Sequence, residues 1–317
     1  MLTLALLLQA AASPAPAAKA PSEIVAAAPA SDWVDIANND LLVMQLAPGA
    51  EGKPRRVLIQ LMPRPFSQPW IANIRTLARA HWWDGTSVNR VQDNYVAQWG
   101  DATEKKALPG GIKQTSEPDY TTAIGKPPEA ALSHRRYPDP YARGTLFMGG
   151  FPVAFDMINS VPVVDQSGKP IAPSSSRSAW PVHCYGMVGV GRGMSPDAGT
   201  GAELYTVIGH APRHLDRNIA VVGRVVEGIE HLSSLPRGTG ALGFYEDPTQ
   251  RVPVVSIRLA SELPEAERPR MQYLSTESAS FAAYADARAN RRDAFFIVPA
   301  GGADICNIPV PVRKRPS

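Results

Sequence analysis

The chain has 317 residues, of which 44% are hydrophobic and 19% charged, an ordinary globular composition with ample apolar sequence for a sizeable core. Its 32 Lys and Arg against 29 Asp and Glu leave a net charge of +3. The basic residues are scattered apart from pairs such as Arg55-Arg56 and Arg291-Arg292, so no basic stripe points to nucleic acid or an anionic membrane.

The first 20 residues, MLTLALLLQAAASPAPAAKA, join a short apolar run to small-residue sites such as Ala18-Lys19-Ala20. This reads as a secretory signal over residues 1–20, with a periplasmic or secreted protein as the consequence. No basic residue precedes the run, so a plain tail is the other reading. The run is too short to span a bilayer. From Ser13 to Ala30 the chain is mostly Ala, Pro and Ser, and residues 21–35 are expected to form a disordered linker.

Folded structure is expected over residues 36–261. Leu41 to Leu46 and Arg56 to Met62 are apolar strand candidates separated by Pro48-Gly49 and Glu51-Gly52, a hairpin pattern. Ser67 as cap, Pro69 in the first turn and Ile71, Ile74 and Ala78 on one face predict a helix that ends at Trp82-Trp83-Asp84-Gly85. The next stretch, SVNRVQDNYVAQWGD, is β-type through Val88, Val91 and Val96 but carries Arg90. A guanidinium there needs either a solvated strand face or a site.

Residues 102–183 become rich in Pro, Lys and Gly and are expected to be a long insertion, with small strands at Gly144 to Met148 and Val161 to Val164. Tyr185 to Val190, Leu204 to Ile208, Ile219 to Val225 and Val252 to Leu259 read as further strands, with a short helix from Glu227 to Leu235. Residues 262–317 form a C-terminal extension with a helix over Glu277 to Arg292 and a strand-like run from Asn307 to Val312. Many short strands with two well-separated helices predict a mainly β fold, a closed or nearly closed antiparallel barrel.

Cys184 and Cys306 are the chain's cysteines. In an exported protein they are a disulfide candidate, the alternative being two buried thiols. GVGRG, with Gly189, Gly191 and Gly193, fits neither a dinucleotide loop nor a P-loop, so close backbone packing or the approach of a peptide explains it better. His210 and His214 have a metal-ligand spacing only on a helix. Gly209 and Pro212 argue against one, and no metal site is assigned.

The ordered motifs Trp82-Trp83-Asp84-Gly85, Asn89-Arg90-Val91, Tyr95-Val96-Ala97-Gln98-Trp99-Gly100-Asp101, Gly186-Met187-Val188, Leu215-Asp216 and Val222-Gly223-Arg224-Val225-Val226-Glu227-Gly228 resemble the cyclophilin family of peptidyl-prolyl cis/trans isomerases. In wording they look most like its exported bacterial branch. The resemblance runs from about Leu41 to Leu259, interrupted by the insertion. It implies a closed antiparallel barrel of about eight strands capped by two helices, and an enzyme that isomerises X-Pro bonds of exported proteins without a cofactor. Its partners would be extended proline-containing segments, bound by a monomer.

At the residue level the resemblance implies that Arg90 is catalytic, since the family's Phe-His-Arg appears here as Val88-Asn89-Arg90. Tyr95 and Val96 would wall the proline pocket and Gln98 would orient the site. Gly191, Arg192, Glu203, Tyr205, His214, Leu215 and Ile219 would complete it. The chain departs from the family pattern at Glu203 for a glutamine, His214 for a tryptophan, Ile219 for a histidine and Trp99 for a glycine. Glu203 is expected either to pair with Arg90 and hold it or to occupy it. These departures support an alternative, a catalytically weakened peptide-binding holdase or envelope scaffold.

Overall fold

The computed structural model describes residues 18–49, 52–125, 139–157 and 177–316. The apolar leader run and the strand expected at Val161 to Val164 lie outside the described residues.

The first hairpin forms as its composition dictates: β2 (Leu41–Leu46) and β3 (Arg55–Leu61) pair antiparallel from Leu41↔Gln60 to Leu46↔Arg55. Helix α2 (Gln68–Arg79) follows and buries Trp70, Ile71, Ile74, Leu77 and Ala78. Ser67 does not cap it as expected. Its backbone is left-handed, and its hydroxyl donates to the Val221 carbonyl at 2.7 Å, tying the helix start to the barrel wall.

Strands β4 (Ser87–Val91) and β5 (Val96–Gly100) form the next hairpin. With β10 (Met187–Val190), β11 (Leu204–Val207), β12 (Val221–Glu227) and β13 (Val252–Leu259) they complete a closed antiparallel barrel. Its order is β10-β11-β5-β4-β13-β2-β3-β12. Closure leaves no unpaired edge. The barrel core is apolar: Val88 and Leu204 both pair with Trp99, and all three face inward. Trp99, flagged as a departure beside the site, is therefore a fully buried core residue on the opposite face of β5 from Gln98. Helix α3 (Glu230–Ser233) is one turn, shorter than expected, because β12 runs on to Glu227 and the chain must reverse at Gly228 before a helix can begin.

Three strands in the insertion escape the sequence patterns. β6 (Thr122–Ile124), β7 (Gly144–Met148), β8 (Phe151–Met157) and β9 (Arg177–Pro181) form a second antiparallel sheet, ordered β6-β9-β8-β7. It packs on the C-terminal extension, where Phe147 meets Phe281 of α4 (Ala279–Ala289) edge to face at 4.9 Å between ring centroids.

Residues 21–35 are ordered, against expectation. Pro21–Ala26 form α1, with Glu23 accepting from the Ala20 N–H at 2.6 Å, and α1 packs on α4. Trp33–Asp35 form β1, which pairs with β14 (Met271–Leu274), itself paired with β15 (Val312–Lys314). Composition misled here because the few apolar residues are placed to bury: Ile24 and Val25 pack on the core, and Trp33 lies under the Arg313 guanidinium at 3.9 Å. The last strand starts at Val312, not Asn307, because Pro309 and Pro311 have no N–H to donate to a ladder. Cys184 and Cys306, 122 residues apart, are disulfide-bonded and fasten the extension to the connection between β9 and β10.

Candidate active site

A β-bulge aims Arg90. Val88 pairs with Trp99, but Arg90, not Asn89, pairs with Gln98, so Asn89 is an extra residue in β4. Val88 and Arg90 have the same parity, and without the bulge both would face the core. With it, Val88 and Val91 both point inward and Arg90 points out. Gln98 also pairs with Tyr205, and Tyr205 with Gly189, so Arg90, Gln98, Tyr205 and Gly189 form one row across the outer face of β4, β5, β11 and β10.

Three neutral acceptors hold the guanidinium. Nε donates to the Leu242 carbonyl at 2.7 Å, one Nη to Gln98 Oε1 at 3.1 Å and the other to Gln92 Oε1. These account for three of its five N–H groups. Tyr95 and Phe244 flank it, with ring centroids 5.7 and 5.5 Å from Cζ. Burial lowers the Arg90 pKa from its ordinary value, opposed by Tyr95 and Tyr205, and the group remains cationic.

Beside Arg90 lies an apolar patch outside the barrel core. Val96, Tyr205 and Val207 are buried together, with Tyr95, Leu215 and Ile219 packed around them. The Tyr205 ring lies over Gly189, where a Cβ would come within 2.4 Å of Cζ and Oη. Its hydroxyl meets His183 Nε2 at 3.0 Å, and His183 Nδ1 meets Asp216 at 2.9 Å. Arg213 donates to Asp216 at 2.6 Å and to both oxygens of Asp139. Burial alone would raise the Asp216 carboxyl, but His183 and Arg213 hold it below its ordinary value. An ionised Asp216 only accepts, so Nδ1 carries a proton toward it, and Nε2 stays within hydrogen-bond distance of the Tyr205 hydroxyl.

The patch and Arg90 open into one cleft of about 690 Å³. It brings together Arg90, Tyr95, Val96, Gln98, Gly191, Arg192, Glu203, Tyr205, Leu215 and Ile219. His214 is not among the lining residues; it stacks behind Tyr95, rings 6.2 Å apart and 9° from parallel. Glu203 does not pair with Arg90. Its carboxyl group sits beside Gln98, Asn89 and the Asp101 N–H, which favour its ionised form, but burial outweighs them and pushes its pKa up to about 7. Helix α2 steadies the opposite wall: the Trp70 indole donates to the Gly199 carbonyl at 2.8 Å and Asn73 to that of Thr200 at 3.0 Å.

Sequence reasoning missed Gln92, Leu242 and Phe244. Gln92 sits in the quoted hairpin, two residues beyond Arg90. Leu242 and Phe244 sit in a glycine-punctuated loop between α3 and β13 and reach β4 only through tertiary pairing, Phe244 in a bridge to Arg90.

The family model described as cyclophilin type peptidyl-prolyl cis-trans isomerase/CLD matches residues 67–259. Among solved structures, cyclophilin AquaCyp293 from Hirschia baltica is similar in fold, with a TM-score of 0.64 and 20% identity over 90% of this chain and 95% of that one. Among curated proteins none matches. The matched region spans more than half the chain and covers the bulged β4, the apolar patch and the cleft between them. This chain belongs to the cyclophilin-type peptidyl-prolyl cis/trans isomerase family.

Proposed function

We propose that the cleft isomerises X-Pro bonds in extended segments of exported proteins, with the Arg90 guanidinium as donor to the prolyl nitrogen. The barrier to isomerisation, about 18 to 20 kcal/mol, comes from amide resonance, so the reaction needs neither nucleophile nor metal. As the bond twists, the prolyl nitrogen becomes pyramidal and regains its lone pair. A hydrogen bond to that lone pair exists only in the twisted state and lowers the barrier. Val96, Tyr205, Leu215 and Ile219 take the ring, and the low dielectric of their walls strengthens the contact.

The observation that carries this reading is the state of Arg90: charged, half-buried, flanked by two aromatic rings and held by three neutral acceptors. Its alignment is fixed while its charge is left for the substrate. That favours a working site over the holdase alternative. The cleft is complete within one chain, which fits a monomer. The Cys184–Cys306 bond supports residence in the periplasm or outside the cell, where disulfides persist.

Turnover of an Ala-Pro peptide, wild type against Arg90→Ala, tests the proposal. A charge-assisted contact of about 3 kcal/mol predicts a loss of roughly a hundredfold in kcat/KM with the peptide still bound. Equal turnover in the two proteins would overturn the role of Arg90.

A further inference from the structure

The side-chain amide of Gln98 has two different ends, and each faces a different charged residue. Its oxygen accepts from Arg90 at 3.1 Å, and its nitrogen lies on the Glu203 side, where a Cβ on Gly191 would stand 3.5 Å from Gln98 Nε2 and 2.8 Å from Glu203 Cβ. The Asp101 N–H and the Asn89 side chain also favour the ionised form, so the residue that forms the bulge and the residue just after β5 converge on the carboxylate. Two glycines make room. A Cβ on Gly100 would lie 1.9 Å from a carboxylate oxygen, and one on Gly191 would lie 2.8 Å from the Glu203 Cβ.

An ionised carboxylate can only accept, so it draws the Gln98 NH2 toward itself and leaves the Gln98 oxygen facing Arg90. A protonated carboxyl carries an O–H that the Gln98 oxygen can take. The amide can then turn over and point its NH2 at the guanidinium, donor against donor. We propose that Glu203 is a positioning residue: its ionised carboxylate sets the orientation of Gln98 and thereby holds Arg90 aligned for the prolyl nitrogen, so turnover follows the ionisation of Glu203. This rests on the reading of Arg90 as the donor.

Burial places the Glu203 transition near neutrality, at about 7, and the neighbouring Asp101 carboxylate pushes in the same direction. The other charged groups around the cleft that holds Glu203 are Arg90 on β4, Glu104 and Lys106 in the turn after Asp101, Arg192 and Asp197 beyond Gly191, and Arg251, which lines a side cavity of about 120 Å³ with Asn89 and Glu203. Burial raises the Asp101 carboxyl, but the Lys106, Thr103 and Lys105 N–H groups outweigh it and keep Asp101 below its ordinary value, so it is ionised throughout the neutral range. His183 and His214 are the imidazoles behind the cleft wall, and both are retained in the control variant.

The test is the rate of exchange of an Ala-Pro peptide, followed without a coupling protease from pH 5.5 to 8.5, for wild type, Glu203→Gln and Arg90→Ala. Wild-type kcat should rise about tenfold with a midpoint near pH 7 while KM stays constant, and Glu203→Gln should flatten the profile. In the free wild-type enzyme, the side-chain NH2 resonances of Gln98 should titrate with the same midpoint. A flat wild-type profile, an inflection kept in Glu203→Gln, or Gln98 resonances that do not move would overturn the positioning role. Unchanged turnover in Arg90→Ala would instead overturn the underlying reading of the site.

Discussion

Gly189 explains a motif that the sequence left open, and its replacement gives a sharp test of how the proline wall is built. In Gly189→Ala the new Cβ would stand 2.4 Å from Cζ and Oη of Tyr205. The ring cannot simply tilt, because Val96 and Val207 pack with it and His183 holds its hydroxyl at 3.0 Å. Overpacking of this kind costs about 1 to 3 kcal/mol. If the ring moves enough to relieve the clash, the buried His183 Nε2 loses its partner, at about 1 to 3 kcal/mol more. The variant should therefore lose roughly 2 to 6 kcal/mol in urea unfolding, and KM for an Ala-Pro peptide should rise because the displaced ring narrows the pocket. Tyr205→Leu removes the atoms that the Cβ would meet, so adding Gly189→Ala to it should cost almost nothing. A loss below about 1 kcal/mol in the single variant, or a coupling within about 0.5 kcal/mol of zero in the cycle, would refute the steric argument.

Removing the disulfide by Cys184→Ala and Cys306→Ala releases a loop of 122 residues and should cost up to about 5 kcal/mol in the chain-entropy model; an unchanged urea midpoint would contradict it. Asp216→Asn takes away the carboxylate that Arg213 and His183 share, while Asp139 still answers the guanidinium, and should cost about 1 to 3 kcal/mol at pH 7. Because the Asp216 carboxyl lies below its ordinary value, its contribution is present at neutral pH and lost as pH falls through the folded value, so the gap to wild type should close in acid. Glu203 has the opposite sign. Its displacement from 4.5 to about 7 means that ionising it in the fold costs up to about 3 kcal/mol, a penalty that grows as pH rises between those values. Thermal scans should show Glu203→Gln more stable than wild type at pH 8 and equal to it near pH 4, and an equal difference at both would count against the buried carboxylate.

Local pattern alone identified the elements that local chemistry makes. The β2–β3 hairpin, α2 from Pro69 and its apolar face, the bounds of β13, and the order of motifs from Trp82 to Gly228 were all legible because period, punctuation and residue type act over a few positions. That Arg90, Tyr95, Val96 and Gln98 meet at one cleft was legible too, since they lie within one hairpin. Tertiary structure decided which way those side chains face. Val88 and Arg90 share a parity, and only the extra residue Asn89, set by pairing with β5, turns Arg90 outward. The same holds for Glu203, which sequence could place near Arg90 but not behind Gln98, and for residues 21–35, whose order depends on β14 and α4 from the far end of the chain. Register and burial are relations between distant segments, and the bulge that gives Arg90 its direction exists only when both strands are in place.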